Sequence, residues 1–333
     1  MTFCRQTFLA AALIACAAPA LATDKVSIGA LRFTSHAPTF IAVEKGYFKA
    51  ENIDADIKFF QAAQPIAVAI ASGDIDFGIT ALTGGYYSLA AKGAVKVIGG
   101  LYAEKKGVNG MAVMVSNKAY SEGITTPAKL KDRTVALTQV GSSFHYIAGM
   151  VAEANGFKLT DLKLKPLQKV GSMIGAVKSG QVDSMFMVPH VAIPLEKAGA
   201  AKIVGWVNEL GPYQVTTIFT STKNVKERAE LVKRFMKAYK RAIADYNNVM
   251  VDQKKDPAAT EAMTKLIHKY VYNERPYDKA APGIKAGAVY MAEGGSLDVK
   301  NVEKQLKWNQ EHKFAPASLT MEQLLAPGFA DFK

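Results

Sequence analysis

Cysteine is nearly missing from this chain. Cys4 and Cys16 are the only two, and both fall at the extreme N-terminus. No disulfide framework can hold the rest together, so the fold must rest on packed apolar cores, which 333 residues are enough to supply. Past the N-terminus there is also no apolar run long enough to span a bilayer. The catalytic signatures G-x-S-x-G, H-E-x-x-H and the P-loop are absent. Acidic residues are the minority, 29 against 41 Lys and Arg, for a formal charge of +12. The basic residues are scattered over expected helix faces, which reads as solvated surface, so no nucleic-acid partner is expected.

The first residues carry a leader pattern. Arg5 is the only charge before Asp24; the apolar stretch 8–15 comes next, and Ala20-Leu21-Ala22 forms a small-residue cleavage site. This is the pattern of a secretory signal over 1–22. The apolar stretch is too short to cross a membrane, so an exported, soluble mature chain is expected. A second reading exists: Leu13-Ile14-Ala15-Cys16 resembles a lipobox, whose cysteine would be lipidated.

One stretch organises the remainder of the chain. Residues 69–80 read as a helix end, a glycine stop, a short apolar strand and a turn, and residues 176–186 repeat the shape. Both contain Ser-Gly-x-(Ile/Val)-Asp, and Gly73 to Gly180 and Asp76 to Asp183 are the same step of 107 residues. Gly46-Tyr47-Phe48 precedes the first copy and Gly156-Phe157 the second. Each copy therefore closes a β-α-β-α-β unit, and a period this long implies two similar lobes with a ligand-sized cleft between them.

In order, strands are expected at 26–33, 53–60, 76–79, 95–99, 111–115, 133–137 and 202–206, with 213–220 as the return crossing. The loop 34–38 joins a strand end to a helix N-terminus and offers unpaired N–H groups. Thr126-Pro127 reads as a capped helix start. Leu231, Val232, Phe235, Met236, Tyr239, Ile243 and Tyr246 share one helical face, a further helix begins at Asp256-Pro257, and Val299, Val302 and Leu306 mark a last one. The expected division is 23–112 with 218–333 as lobe 1, and 113–217 as lobe 2.

His36-Ala37-Pro38, Glu44-Lys45-Gly46-Tyr47-Phe48, Ser72 to Gly78, Ala91-Lys92-Gly93, Thr126 to Arg133 and Gly141-Ser142-Ser143 occur in this order and at close spacing. The ordered set, over about residues 26–245, resembles the periplasmic solute-binding proteins of ABC importers, in the group for sulfonates, taurine, nitrate and thiamine-pyrimidine precursors. The resemblance implies an α/β, two-lobed type II binding-protein fold with the cleft between lobes and a helical C-terminal segment. It also implies a monomeric carrier that hands a small molecule to an ABC importer permease. Some proteins of this fold class are enzymes, including pyrimidine synthases and a chorismate dehydratase, but those are intracellular and the leader points the other way.

In this family the ligand sits where strand ends meet helix N-termini. Carried onto this chain, that selects loops 32–38, 80–84, 141–145 and 187–190, with Tyr213 near the hinge. The candidate ligand-binding residues are Arg32, Ser35, His36, Thr80, Thr83, Gly141, Ser142, Ser143, His145, Pro189, His190 and Tyr213. Glycine at 141 permits close backbone approach, and the serines place hydroxyls beside free helix N–H groups, although a plain helix cap would use the same residues. Arg32 offers a bidentate cation or simply a solvent-facing strand end. Metal-binding relatives pair histidines with carboxylates; these loops contain no carboxylate, so neither a metal nor a cofactor is expected. The expected ligand is a small organic anion of sulfonate or aromatic carboxylate type. A neutral pyrimidine-like heterocycle, stacked on Phe33, Phe144 and Tyr213, is the alternative.

Overall fold

Ten strands form two sheets in a computed structural model that describes residues 22–333. The leader reading, with Cys4 and Cys16, falls outside the described residues. The strands are β1 (Asp24–Ala30), β2 (Ile53–Phe59), β3 (Phe77–Thr80), β4 (Val95–Gly100), β5 (Ala112–Val115), β6 (Thr134–Leu137), β7 (Lys163–Pro166), β8 (Ser184–Met187), β9 (Lys202–Trp206) and β10 (Thr217–Ser221). One sheet runs β2-β1-β3-β10-β4 and the other β7-β6-β8-β5-β9. β1 and β3 are parallel neighbours, while β10 runs antiparallel to both β3 and β4. In the second sheet β6 and β8 are parallel, and β5 runs antiparallel to both β8 and β9. Each sheet thus holds one reversed strand, at the point where the chain enters or returns.

The step of 107 residues survives into the pairing registers. Ser27 faces Asp56 and Thr134 faces Lys163; Ile28 faces Phe77 and Val135 faces Ser184. The two copies of the repeated motif end in different sheets.

The helices that position the cleft are α1 (Ala37–Glu44), α2 (Ala63–Ser72), α3 (Gly84–Ala91), α4 (Ser143–Ala154), α5 (Val170–Lys178) and α6 (Pro189–Lys197). Their ends follow local chemistry. Gly46, Gly73 and Gly180 all take left-handed φ, which lets the chain leave a helix without a Cβ clash. The Thr83 hydroxyl accepts the Tyr86 N–H and the Ser142 hydroxyl the His145 N–H, so both residues are true N-caps. Thr126 does not cap; Pro127–Leu130 is a single 3-10 turn. β1 stops at Ala30 rather than Phe33 because the next N–H, on Leu31, turns to the His36 ring instead of a neighbouring strand.

The C-terminal segment is helical: α7 (Ala229–Tyr246), α8 (Pro257–His268), α9 (Tyr277–Ala286) and α10 (Val299–Glu311). The stripe on α7 is buried, and Phe235 stacks on Phe77 of β3 at 3.7 Å between ring centres. Asp256 caps α8 through the Ala259 N–H, with Pro257 at its first position. α9 holds Pro282 within it and follows Pro276, and it forms because Ala280, Ala281 and Ile284 bury against α6 and α8. The return crossing differs too, for only Thr217 onward is strand; the Val215 and Thr216 N–H groups both bond to the Tyr102 carbonyl. α10 lies on α4 of the second sheet unit, while the short helix Met321–Leu324 lies on α3 and β4 of the first, so the C-terminal segment touches both.

Candidate functional site

The carboxyl ends of β1, β3, β6 and β8 face one cavity between the two sheet units. Its walls obey the repeat: Leu31 and Thr138, His36 and Ser143, Ala63 and Val170, and Ala81 and Val188 all line it, each pair one repeat step apart. Phe33, Ser35, Ala62, Thr80 and Phe144 complete the loop walls, and Tyr102, Met111, Val215 and Thr216 come from the crossing segments. The N-terminal ends of α1, α2, α4, α5 and α6 thus converge on the space. First-turn N–H groups have no acceptor within their own helix, and the aligned peptide dipoles make this end positive. The lining contains neither a carboxylate nor a Lys or Arg. The cavity holds about 50 Å³, room for a few waters and well below the ~300 Å³ of a typical ligand pocket.

Ser35, His36, Thr80 and Ser143, of the expected residues, sit in these walls. His36 is buried, and its Nδ1 accepts the Leu31 N–H at 3.3 Å. Its remaining proton is therefore on Nε2, the ring's one donor. Burial pushes its pKa down to about 3, so the ring is neutral at any ordinary pH. His36 therefore offers the site a neutral donor and no cation.

Gly141, Ser142 and His145 shape the loop behind Ser143 without lining the cavity. The Gly141 N–H donates to His145 Nδ1 at 3.0 Å, and its carbonyl accepts the Gly84 N–H at 2.8 Å, a bond from one sheet unit to the other. The His145 ring packs against Trp308 and Phe314; burial, and then the nearby His312, lower its pKa to about 4. Thr83 spends its hydroxyl on the α3 cap and on a bond to the Gln64 side chain.

Pro189 opens α6 at a helix position that needs no N–H. His190 also crosses between the units. The Thr34 hydroxyl donates its single proton to the Gly287 carbonyl at 2.8 Å, so it accepts from His190 Nδ1, 3.1 Å away. Burial, and then the proximity of His36, hold the His190 pKa near about 3. Its ring stands edge-on to Phe33 with centres 5.1 Å apart.

Two expected residues lie elsewhere. Arg32 is exposed: its guanidinium donates to the Tyr270 carbonyl at 2.9 Å and lies over the Phe59 ring at 3.9 Å. A strand end that turns outward carries it away from the cavity, so it supplies no cation there. Tyr213 is buried behind the wall, its ring 5.3 Å from that of Tyr146. Sequence reasoning missed Leu31, Ala62, Ala63, Thr138, Val170, Tyr102, Met111, Val215 and Thr216. Thr138 and Val170 lie one repeat step from Leu31 and Ala63, so the repeat links these pairs, but it selects neither member without the other; Tyr102, Met111, Val215 and Thr216 come from irregular crossing segments that carry no local motif. Among the described residues no group of three His, Cys, Asp or Glu side chains is arranged to hold a metal ion.

A family model described as NMT1/THI5 like matches residues 33–248. No curated protein sequence matches the chain. Among solved structures, the alkanesulfonate-binding protein SsuA from Xanthomonas axonopodis pv. citri, bound to MOPS, superposes with a TM-score of 0.72 at 16% identity, covering 92% of this chain and 99% of that one. The periplasmic nitrate-binding protein NrtA from Synechocystis PCC 6803 gives 0.68 at 15% identity, over 90% of this chain and 83% of its own. The desulfurization enzyme DSZB gives 0.60 at 16% identity, over 92% and 97%. At these identities the likeness establishes the fold, which is that of the periplasmic binding proteins, two α/β lobes with a cleft between them and a helical C-terminal segment. With more than half of its length matched by the family model, the chain belongs to the NMT1/THI5-like family.

Proposed function

We propose that the chain is an exported, monomeric solute-binding protein that captures a small organic anion, of sulfonate or aromatic carboxylate type, and delivers it to an ABC importer permease. The observation that carries this reading is the convergence of five helix N-termini on a cavity whose lining holds no carboxylate. Main-chain N–H groups and helix dipoles stabilise an anion without any side-chain cation. The Ser35, Thr80, Thr138 and Ser143 hydroxyls and His36 Nε2 add neutral donors, and Phe33 and Phe144 add an apolar flank for an organic tail. The sulfonate- and nitrate-binding proteins that share the fold support the same class.

The lobes we assign to 23–112 with 218–333 and to 113–217, a division supported by the antiparallel strands β5 and β10, where the chain crosses. The volume of about 50 Å³ fits a closed cleft that must part to admit a ligand. A binding role rather than an enzymatic one is supported by the lack of any ionisable side chain in the lining other than neutral His36 and Tyr102. The absence of a lining cation keeps one second reading, the neutral pyrimidine-like heterocycle, with Phe33 and Phe144 as stacking partners.

Mass spectrometry of small molecules released from natively purified protein, followed by calorimetry with ethanesulfonate, benzoate and a neutral aminopyrimidine, tests this. Saturable binding of an anion is expected. Binding of the aminopyrimidine with no anion bound would discard the anion class, and turnover of a bound compound would restore the enzyme reading.

A further inference from the structure

Glu104 lies between β4 and β5, where the chain first passes from one sheet to the other. Its N–H donates to the Tyr213 carbonyl on the returning segment at 2.8 Å, so it bridges both crossings. Its Oε1 accepts two hydrogen bonds, from the Tyr102 hydroxyl at 2.6 Å and from the Met111 N–H at 2.8 Å. Tyr102 and Met111 are both walls of the cavity. Its Oε2 is buried with no partner. A Cβ at Gly110 would come within 2.0 Å of that oxygen, so the glycine leaves the carboxyl its room. A buried carboxylate with one oxygen unpaired is costly, and such groups call for an explanation.

We propose that Glu104 is a positioning residue of the binding site: its carboxyl fixes Tyr102 and the Met111 main chain in the cavity wall and takes up a proton when an anion is captured. The proposal rests on the reading that the cavity takes an anion. A second negative charge entering beside a desolvated carboxylate is disfavoured, and adding a proton at the free Oε2 removes the conflict while Oε1 keeps both bonds. Burial already pushes the Glu104 carboxyl up to about 7, against the lowering effect of the Tyr102 and Met111 bonds, with no cation to offset it. The groups facing it are the Tyr102 and Tyr213 hydroxyls, both driven well above the usual tyrosine range by burial and so neutral throughout. Lys105 turns away, its Nζ over the Tyr290 ring at 4.0 Å.

The first test needs no ligand. In protein carrying carbon-13 in its glutamate carboxyls, the resonance lost in Glu104→Gln should titrate near pH 7, and Tyr102→Phe should move that midpoint upward, because a bond that favours the charged form is gone. If Glu104→Gln does not fold, Glu104→Asp supplies the assignment. A midpoint below 5, or one that Tyr102→Phe leaves in place, overturns the proposal. The second test is calorimetry with ethanesulfonate and benzoate at pH 6 and pH 8, in two buffers of different protonation enthalpy. At pH 8 wild type should take up about one proton per anion bound, and its Kd should rise up to about tenfold per pH unit above 7. Glu104→Gln should bind with the same affinity at both pH values. An equal pH dependence in the two proteins overturns the proposal while leaving the anion reading intact. If neither anion binds wild type at either pH, the anion reading fails and takes proton uptake with it; the Tyr102→Phe shift then judges positioning alone.

Discussion

The Asp183 carboxylate accepts the Thr134 N–H at 2.8 Å and the Thr134 hydroxyl at 2.7 Å, across 49 residues of chain. Asp76 does the same for the Ser27 N–H at 2.9 Å, also across 49 residues. These are the aspartates of the repeated Ser-Gly-x-(Ile/Val)-Asp motif. Each sits just before the strand that closes its unit and ties that turn to the unit's first strand, β1 or β6. The most conspicuous repeat in the sequence is therefore structural, and the cavity lies at the opposite, carboxyl ends of the same strands.

Replacing Asp183 by alanine should accordingly cost stability and spare binding. Removing a part-buried carboxylate that accepts two bonds leaves the Thr134 N–H without a partner and takes the acceptor from its hydroxyl, which keeps only the bond it accepts from the Asp183 N–H at 2.8 Å; the loss is worth about 1–3 kcal/mol. Urea unfolding should show this loss, with Asp76→Ala comparable or worse, since Asp76 also pairs with Arg228 at 3.0 Å. An Asp183→Ala protein of wild-type stability would refute the structural role.

Stability should also depend on pH through the buried histidines. His36 and His190 have folded pKa values near about 3, below the ordinary 6.5, so the unfolded chain binds more protons between those limits. Their penalty is absent above pH 6.5 and grows as pH falls, by up to about 1.4 kcal/mol per pH unit for each ring. Glu104 works in the opposite direction: its folded pKa is raised, so acidification from 7 towards 4.5 restores stability. Unfolding free energies measured from pH 7 to pH 5 should fall in wild type, fall less in His190→Asn and fall more in Glu104→Gln. A wild-type curve that is flat, with unchanged slopes in both variants, would contradict the assigned protonation states.

Two residues expected at the ligand should now behave differently from each other. Ser143 lines the cavity at the α4 N-terminus, whereas Arg32 lies over Phe59 outside it. Ser143→Ala should weaken anion binding by about 1–3 kcal/mol, the worth of a hydrogen bond to a charged group. Arg32→Ala should leave the Kd within experimental error. A large loss in Arg32→Ala, measured by calorimetry at fixed salt, would return the cation to the site.

Most of the strands, the return crossing and the four loops were legible because alternation, glycine stops and proline starts are local signals; the reversed direction of β10 was not. Even the pairing registers follow from the repeat. Side-chain direction was not legible. Arg32 and His36 sit four residues apart in one loop, yet one faces solvent and the other is sealed in, because β1 ends early when the Leu31 N–H bonds to His36. The roles of His145 and Thr83 were hidden for a different reason. Thr83 is spent on its own helix cap and on Gln64, and the His145 ring on a packing contact that appears only when the C-terminal segment, with Trp308 and Phe314, is in place.

That C-terminal segment makes the closed cleft itself testable. Gly84, at the start of α3, donates its N–H to the Gly141 carbonyl at 2.8 Å across the two units. Phe314 closes over the pair: a Cβ on Gly84 would lie 2.9 Å from the Phe314 carbonyl oxygen and 3.1 Å from its Cβ. A backbone oxygen cannot swing aside as a side-chain tip can, so Gly84→Ala should push Phe314 and the second unit away. Overpacking of this kind costs about 1–3 kcal/mol. Alanine suits a helix start at least as well as glycine, so the cost should fall on closure rather than on α3. Small-angle scattering should therefore show a larger radius of gyration for Gly84→Ala than for wild type without ligand, and saturating ethanesulfonate should compact the variant if it bridges both lobes. A variant whose scattering and anion affinity match wild type would show that this contact does not hold the cleft shut.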